Sequence, residues 1–189
     1  MVAESLPIGG PATARSILRS TLQGQMLLAP LTRGGNLPFR RLCCELGAEV
    51  TMGEMIFARS LLKGERHEQA RLRRAANEHA FGAQFATNNI AEGAKLCELA
   101  AQQGATWVDL NCGCPIYEAT RRGLGSALLR KPAKLGRLVS GIVEKSPLPL
   151  SVKVRVTPFT PIPLTSPLPP PDHPLPHPLP DPLPRVPSR

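Results

Sequence analysis

The sequence predicts an α/β fold: a partial TIM (β/α)₈ barrel of about the first four βα units plus a fifth strand, then a disordered Pro-rich tail. Three observations predict it. Between Met26 and Val156, short apolar runs alternate with longer segments of helical character, the pattern of parallel βαβ units. Polar residues stand at or near the C-terminal ends of successive runs: Pro30-Leu31-Thr32, Glu54, Gln84, Asn111 with Cys114, and Lys153. A doubly wound sheet begins in the same way, but a barrel gathers its strand ends around one central site, where these residues would converge. Finally, composition breaks at Thr157, and 14 of the 22 prolines fall in 157–189.

Residues 1–25 read as an N-terminal leader. Glu4 and the lack of a continuous apolar segment argue against a signal peptide. Arg15, Arg19 and the hydroxyl residues of 13–25 are compatible with an organelle transit peptide, although an ordinary solvated leader is the preferred reading. The domain proper spans 26–156. Met26 to Ala29 is a first strand, stopped by Pro30, and 37–47 a helix with Pro38 at its start and Gly47 as its stop signal. A strand over 49–52 precedes a helix around Phe57 to Leu62. A third strand, 80–85, leads into a helix over 90–103 with an irregular apolar stripe. A fourth strand covers 106–110, part of a fourth helix 135–143, and a fifth strand 150–156. Residues 157–189 lack the backbone donors for helix or sheet and read as disordered or polyproline-like, with an SH3 or WW module as a conceivable partner.

Lys and Arg total 23 against 14 Asp and Glu, giving +9 and a pI of 10.0. Such a balance favours a polyanionic partner, nucleic acid first, or simply a soluble basic surface. The 5 cysteines, an odd number, point to a reducing intracellular compartment, whether cytoplasm, nucleus or organelle. No apolar run approaches the ~18 residues that span a bilayer, so no membrane partner is expected.

The chemistry concentrates at Asp109-Leu110-Asn111-Cys112-Gly113-Cys114-Pro115. A buried strand that ends in an amide and a thiol, with glycine beside the thiol, can deliver a reactive group to a pocket rim. If the stretch stays extended, Cys112 and Cys114 point to one side. A CxC pair could bind metal or form a redox disulfide, but zinc sites carry a second pair of ligands and none is visible, so no metal is expected. Arg121, Arg122, Arg130 and Lys131 follow this strand, and Arg71, Arg73 and Arg74 form another cluster; either could touch phosphates or be a solvated face. Cys43 and Cys44 read as packing residues, and His67 and His79 show no ligand spacing.

Five segments stand in order along the chain: Leu28-Ala29-Pro30-Leu31-Thr32 with Asn36 to Arg40; Gly53-Glu54-Met55; Gly82-Ala83-Gln84-Phe85; Val108 to Pro115 with Gly125 to Leu129; and Val152-Lys153-Val154-Arg155. Together they resemble the tRNA-dihydrouridine synthases, flavin enzymes that reduce uridine in tRNA, and most nearly their eukaryotic branch. The resemblance implies FMN as cofactor, NADPH as reductant and tRNA as partner. It makes Cys114 the acid that protonates C5 of uracil after hydride reaches C6. A thiol suits that task, because its ordinary pKa of about 8.5 leaves it mostly protonated at neutral pH. Gln84 would meet the flavin's pyrimidine edge, Lys153 would sit near its N1, and Pro30, Leu31 and Thr32 would pack under the ring. Asn111 and Arg155 are expected on the substrate side.

The family's later histidine, its Asn-Gly-Asp type segment and its phosphate-binding Gly-Arg pair have no match after Arg155. The expectation is therefore a truncated chain that binds FMN poorly or not at all, with its last strand an unpaired edge prone to self-association. Two alternatives stand beside the enzyme: a non-catalytic RNA-binding fragment with a Pro-rich tail, and a dihydroorotate-dehydrogenase-type flavin barrel. The Asn-x-Gly-Cys-Pro order at Asn111 to Pro115 argues against the second.

Overall fold

The computed structural model describes residues 11–155. The Pro-rich segment 157–189 and the last position of the expected fifth strand lie outside the described residues. Six parallel strands form one sheet: β1 (Leu27–Leu28), β2 (Val50–Met52), β3 (Ile56–Phe57), β4 (Ala80–Ala86), β5 (Trp107–Cys112) and β6 (Leu150–Val154). Their order is β1-β2-β4-β5-β6, with β3 joined to the end of β4. Pairing runs Leu27↔Val50, Val50↔Ala80, Gly82↔Trp107 and Asn111↔Lys153. Helices connect the strands, as parallel pairing demands: α2 (Leu37–Glu45), α3 (Ala58–Leu62), α4 (Arg66–Arg71), α5 (Ile90–Gln102), α6 (Tyr117–Thr120), a 3₁₀ turn (Gly125–Arg130) and α7 (Pro132–Val143). This is the front of a (β/α) barrel. Among the described residues β1 and β6 pair on one side only, and no helix is long and apolar enough to cross a membrane.

Local chemistry explains the boundaries. Asn36 caps α2 by accepting from the Phe39 N–H at 3.1 Å, with Pro38 in the first turn. Gly47, at φ +102°, follows the end of that helix in a conformation that favours glycine. Asn89 caps α5 through the Glu92 N–H. The sequence reading missed α4 and the two residues of β3, which are too short to carry a period. It also ended the fourth strand at Leu110, whereas pairing of Asn111 with Lys153 and Cys112 with Val154 carries β5 two residues further.

The two faces of the sheet separate by alternation. Phe81, Ala83 and Phe85 of β4 and Val108, Leu110 and Cys112 of β5 pack against Leu96, Cys97 and Ala100 of α5 and Leu138 and Ile142 of α7. The helices meet closely because Gly93 faces Ile142 and Gly141 faces Ile90. On the other face, Trp107 packs with Val50, Met52 and Ala80. Helix α1 (Pro11–Leu22) lays Leu18 and Leu22 on this second cluster. Leu18 and Leu22, one helical turn apart, shield apolar strand residues from water; residues 1–10 of the expected leader lie outside the described residues. Further along the strands the same face turns polar, with Gln84, Asp109, Asn111 and Lys153.

Candidate active site

A cavity of about 420 Å³ opens at the C-terminal ends of the strands. Pro30 and Thr32 line it from the loop after β1, Gln84 from β4, Asn111 and Cys114 from the end of β5, and Lys153 and Arg155 from the end of β6. Seven of the eight site residues expected from sequence therefore share one cavity. Leu31 is the exception. It is half exposed, and its carbonyl closes a tight turn by accepting from the Gly34 and Gly35 N–H groups at 3.2 and 2.7 Å. Met55, Gly113, Pro115 and Val154 complete the lining; none has a side chain that sequence alone would nominate.

Asn111 shapes the thiol's position. Its Oδ1 accepts from the backbone N–H of Gly113 at 3.1 Å and of Cys114 at 2.8 Å, an Asx turn that ends the extended conformation at Cys112. The expectation that both thiols share one side fails for this reason. Cys112 is fully buried against the helices, while Cys114 lines the cavity. Burial, and to a lesser degree the nearby Asp109 charge, pushes the Cys112 thiol up to about 12.

Two further contacts brace the turn. Arg155 Nε donates to the Gly113 carbonyl at 2.9 Å. The Cys114 carbonyl accepts from the Ser126 N–H at 2.9 Å. Gly125, at φ +60°, lies so close that a Cβ there would stand 2.4 Å from the Cys114 oxygen, so this position needs glycine twice over. The run Gly125 to Leu129, noticed in sequence for its order alone, is the wall behind the thiol.

Beneath the cavity lies a buried polar row that sequence reasoning missed. Gln84 Nε2 donates to Asp109 Oδ2 at 2.8 Å, Asn111 Nδ2 donates to Gln84 Oε1 at 2.9 Å, and Ser151 Oγ donates to Asp109 Oδ1 at 2.5 Å. Desolvation raises the Asp109 carboxyl above its ordinary value, opposed by the bonds from Ser151 and Gln84 and by the Lys153 charge. The available signal was positional: Asp109 and Asn111 are two apart on a strand and share a face.

The basic clusters are largely committed within the chain. Arg121 and Arg122 both pair with Glu118, and Arg122 also lies over the Phe57 ring. Arg71 pairs with Glu68 at 2.7 Å and Glu54 at 3.2 Å. Arg74 Nε donates to the Glu78 carbonyl. A second cavity of about 270 Å³, lined by Phe57, Arg59, Asn88 and Arg122 among others, has its Arg59 paired with Glu92 at 2.8 Å.

The sequence that builds this cysteine-bearing strand end has counterparts among known proteins. Residues 27–158 match the family model described as Dihydrouridine synthase (Dus). The chain belongs to the dihydrouridine synthase family. It is 44% identical over 137 residues to a protein of Coprinopsis cinerea named tRNA-dihydrouridine(47) synthase, a name that also carries NAD(P)(+); the match covers 70% of this chain and 20% of that one. A protein of Oryza sativa subsp. japonica with a like name is 42% identical over 136 residues, covering 71% and 20%. One of Homo sapiens is 37% identical over 155 residues, covering 77% and 24%. The chain thus spans about a fifth to a quarter of the length of these relatives. The matched region contains every strand described above, so the partial barrel is the shared part.

Proposed function

We propose that this chain carries the catalytic face of an FMN-dependent tRNA-dihydrouridine synthase, with NADPH as reductant and tRNA uridine as substrate. One observation carries the reading: Cys114, Gln84, Asn111 and Lys153 line one cavity at the strand ends of a chain of this family. The residues present suit the polar edge of a flavin ring. Gln84 and Asn111 offer amides, Lys153 brings an exposed cation that favours negative charge on the ring, and Pro30 and Thr32 form a wall. Bound FMN would supply the hydride that adds to C6 of the uracil.

The chain's own residues account for the rest. Cys114 holds a proton on Sγ at the cavity rim and delivers it to C5 of the base. The Asn111 turn, Arg155 and Ser126 hold that thiol's backbone in place. The relatives' names extend the proposal to the uridine at tRNA position 47. The free cysteines suit work in a reducing compartment.

The test has two parts. The purified chain is mixed with FMN and desalted, and its visible spectrum is recorded. It is then incubated with NADPH and unmodified tRNA, and dihydrouridine is read by mass spectrometry of the digested RNA. Flavin retained through the ring-edge residues that line the cavity, although weakly because the phosphate-binding segments have no match after Arg155, and product at position 47 that disappears in Cys114→Ala, are expected. Product formation by the Cys114→Ala chain at the parent rate would remove the proposed acid. A folded chain that binds tRNA but retains no flavin would favour the non-catalytic RNA-binding alternative.

A further inference from the structure

Asp109 stands behind the cavity and does not line it. It begins a directed row of hydrogen bonds that ends at the Cys114 backbone: Asp109 accepts from Gln84, Gln84 from Asn111, and Asn111 from the Gly113 and Cys114 N–H groups. The two amides in the middle are symmetric in shape and can face either way. The ends of the row are not symmetric. An ionised carboxylate only accepts, and a backbone N–H only donates. One direction of both amides satisfies every link. Reversing Gln84 would reverse Asn111 and set its Nδ2 against two backbone N–H groups, donor against donor.

We propose that Asp109 is the positioning residue of this site, an acceptor-only anchor that fixes the direction of the Gln84 and Asn111 amides and thereby holds the Cys114 turn closed. The functional meaning rests on the reading of Cys114 as the acid; the geometry stands apart from it. Ser151 on β6 supports the anchor by donating to its second oxygen at 2.5 Å. The groups acting on Asp109 are Ser151 and the Lys153 cation on β6 and Gln84 on β4, and the Asp109 charge in turn adds to burial in raising the Cys112 thiol on its own strand.

The test moves the anchor by one link. Asp109→Asn keeps the shape and removes the directionality, so the protection of the Gly113 and Cys114 amides against hydrogen exchange should fall about tenfold, the equivalent of one ordinary hydrogen bond. The double variant Asp109→Asn/Gln84→Glu should restore it. There the carboxylate at position 84 accepts from the amide introduced at position 109 as well as from Asn111, so Asn111 Oδ1 still faces the turn. A merely structural role predicts that the two substitutions add. Unchanged protection in a folded single variant, or no rescue in a folded double variant, overturns the proposal. Should the single variant fail to fold, the unsubstituted chain decides: the Cys114 amide nitrogen shift should titrate together with the Asp109 carboxyl carbon, and independent titration overturns it. None of these readings uses flavin or tRNA, so they fail or succeed separately from the proposed reduction.

Discussion

Two thiols two positions apart differ because one amide side chain intervenes. Cys112 ends β5 facing the helices, and Asn111 then draws the chain back so that Cys114 enters the cavity. Reactivity should divide accordingly. Burial pushes Cys97 up to about 11 and Cys112 to about 12, so at pH 8 both are thiols rather than nucleophilic thiolates. Iodoacetamide at pH 8 should therefore label Cys114 in the native chain and spare Cys97 and Cys112, read by fragment-ion mass spectrometry of the 96–121 peptide. Prior labelling of Cys112 would contradict the structure. The sign for stability follows: folded values above the ordinary thiol range stabilise the fold fully below that range, and this contribution is lost as pH rises through about 11 and 12. Asn111 and Cys114 were legible as chemistry because polar side chains at an apolar strand's end need a reason. Their separation from Cys112 was not, because it depends on a side chain closing a turn.

At the scale of elements, alternation and helix caps made most of the order readable. What escaped were contacts between elements. Gly82 of β4 lies opposite Trp107 of β5, and a Cβ there would stand 2.3 Å from the indole ring. Gly82→Ala should push Trp107 out of its cluster and cost roughly 1–3 kcal/mol, as overpacking does. Gly136 offers a control, since it sits on the exposed side of α7 with open space at its Cβ. Gly136→Ala should stabilise by about 0.5–1 kcal/mol through helix propensity. Urea unfolding followed by Trp107 fluorescence measures both, and equal effects would mean that the sheet yields at Gly82. Helix α1 escaped for a related reason. Leu18 and Leu22 amid Arg and Ser look like a solvated leader until their apolar partners are known.

Over the whole molecule, one buried ion pair joins segments that local pattern leaves separate. Arg40 of α2 and Glu78, which precedes β4, meet at 2.7 Å with side chains 1% and 0% exposed. The guanidinium also donates to the carbonyls of Gly35 at 2.8 Å and Arg73 at 2.7 Å and lies 4.7 Å from the Phe81 ring centre. The Glu78 carboxylate accepts from the Thr51 hydroxyl and the Ala75 N–H, each at 2.7 Å. The pair thus ties the loop after β1, strand β2 and the approach to β4 into one body. Nothing in the sequence announced it, because the two residues are 38 positions apart and each alone reads as surface charge. Burying charges is expensive, so the pair's net gain is small while the loss of one partner is large. Glu78→Gln should leave an uncompensated guanidinium and cost about 3–5 kcal/mol, a large part of the stability an ordinary domain has. Arg40→Met/Glu78→Leu, which removes both charges, should cost less than Glu78→Gln alone. Urea midpoints of the two variants decide the matter. If the double variant is the weaker, the hydrogen bonds to Gly35, Arg73, Thr51 and Ala75 hold these segments together more than the charge pairing does.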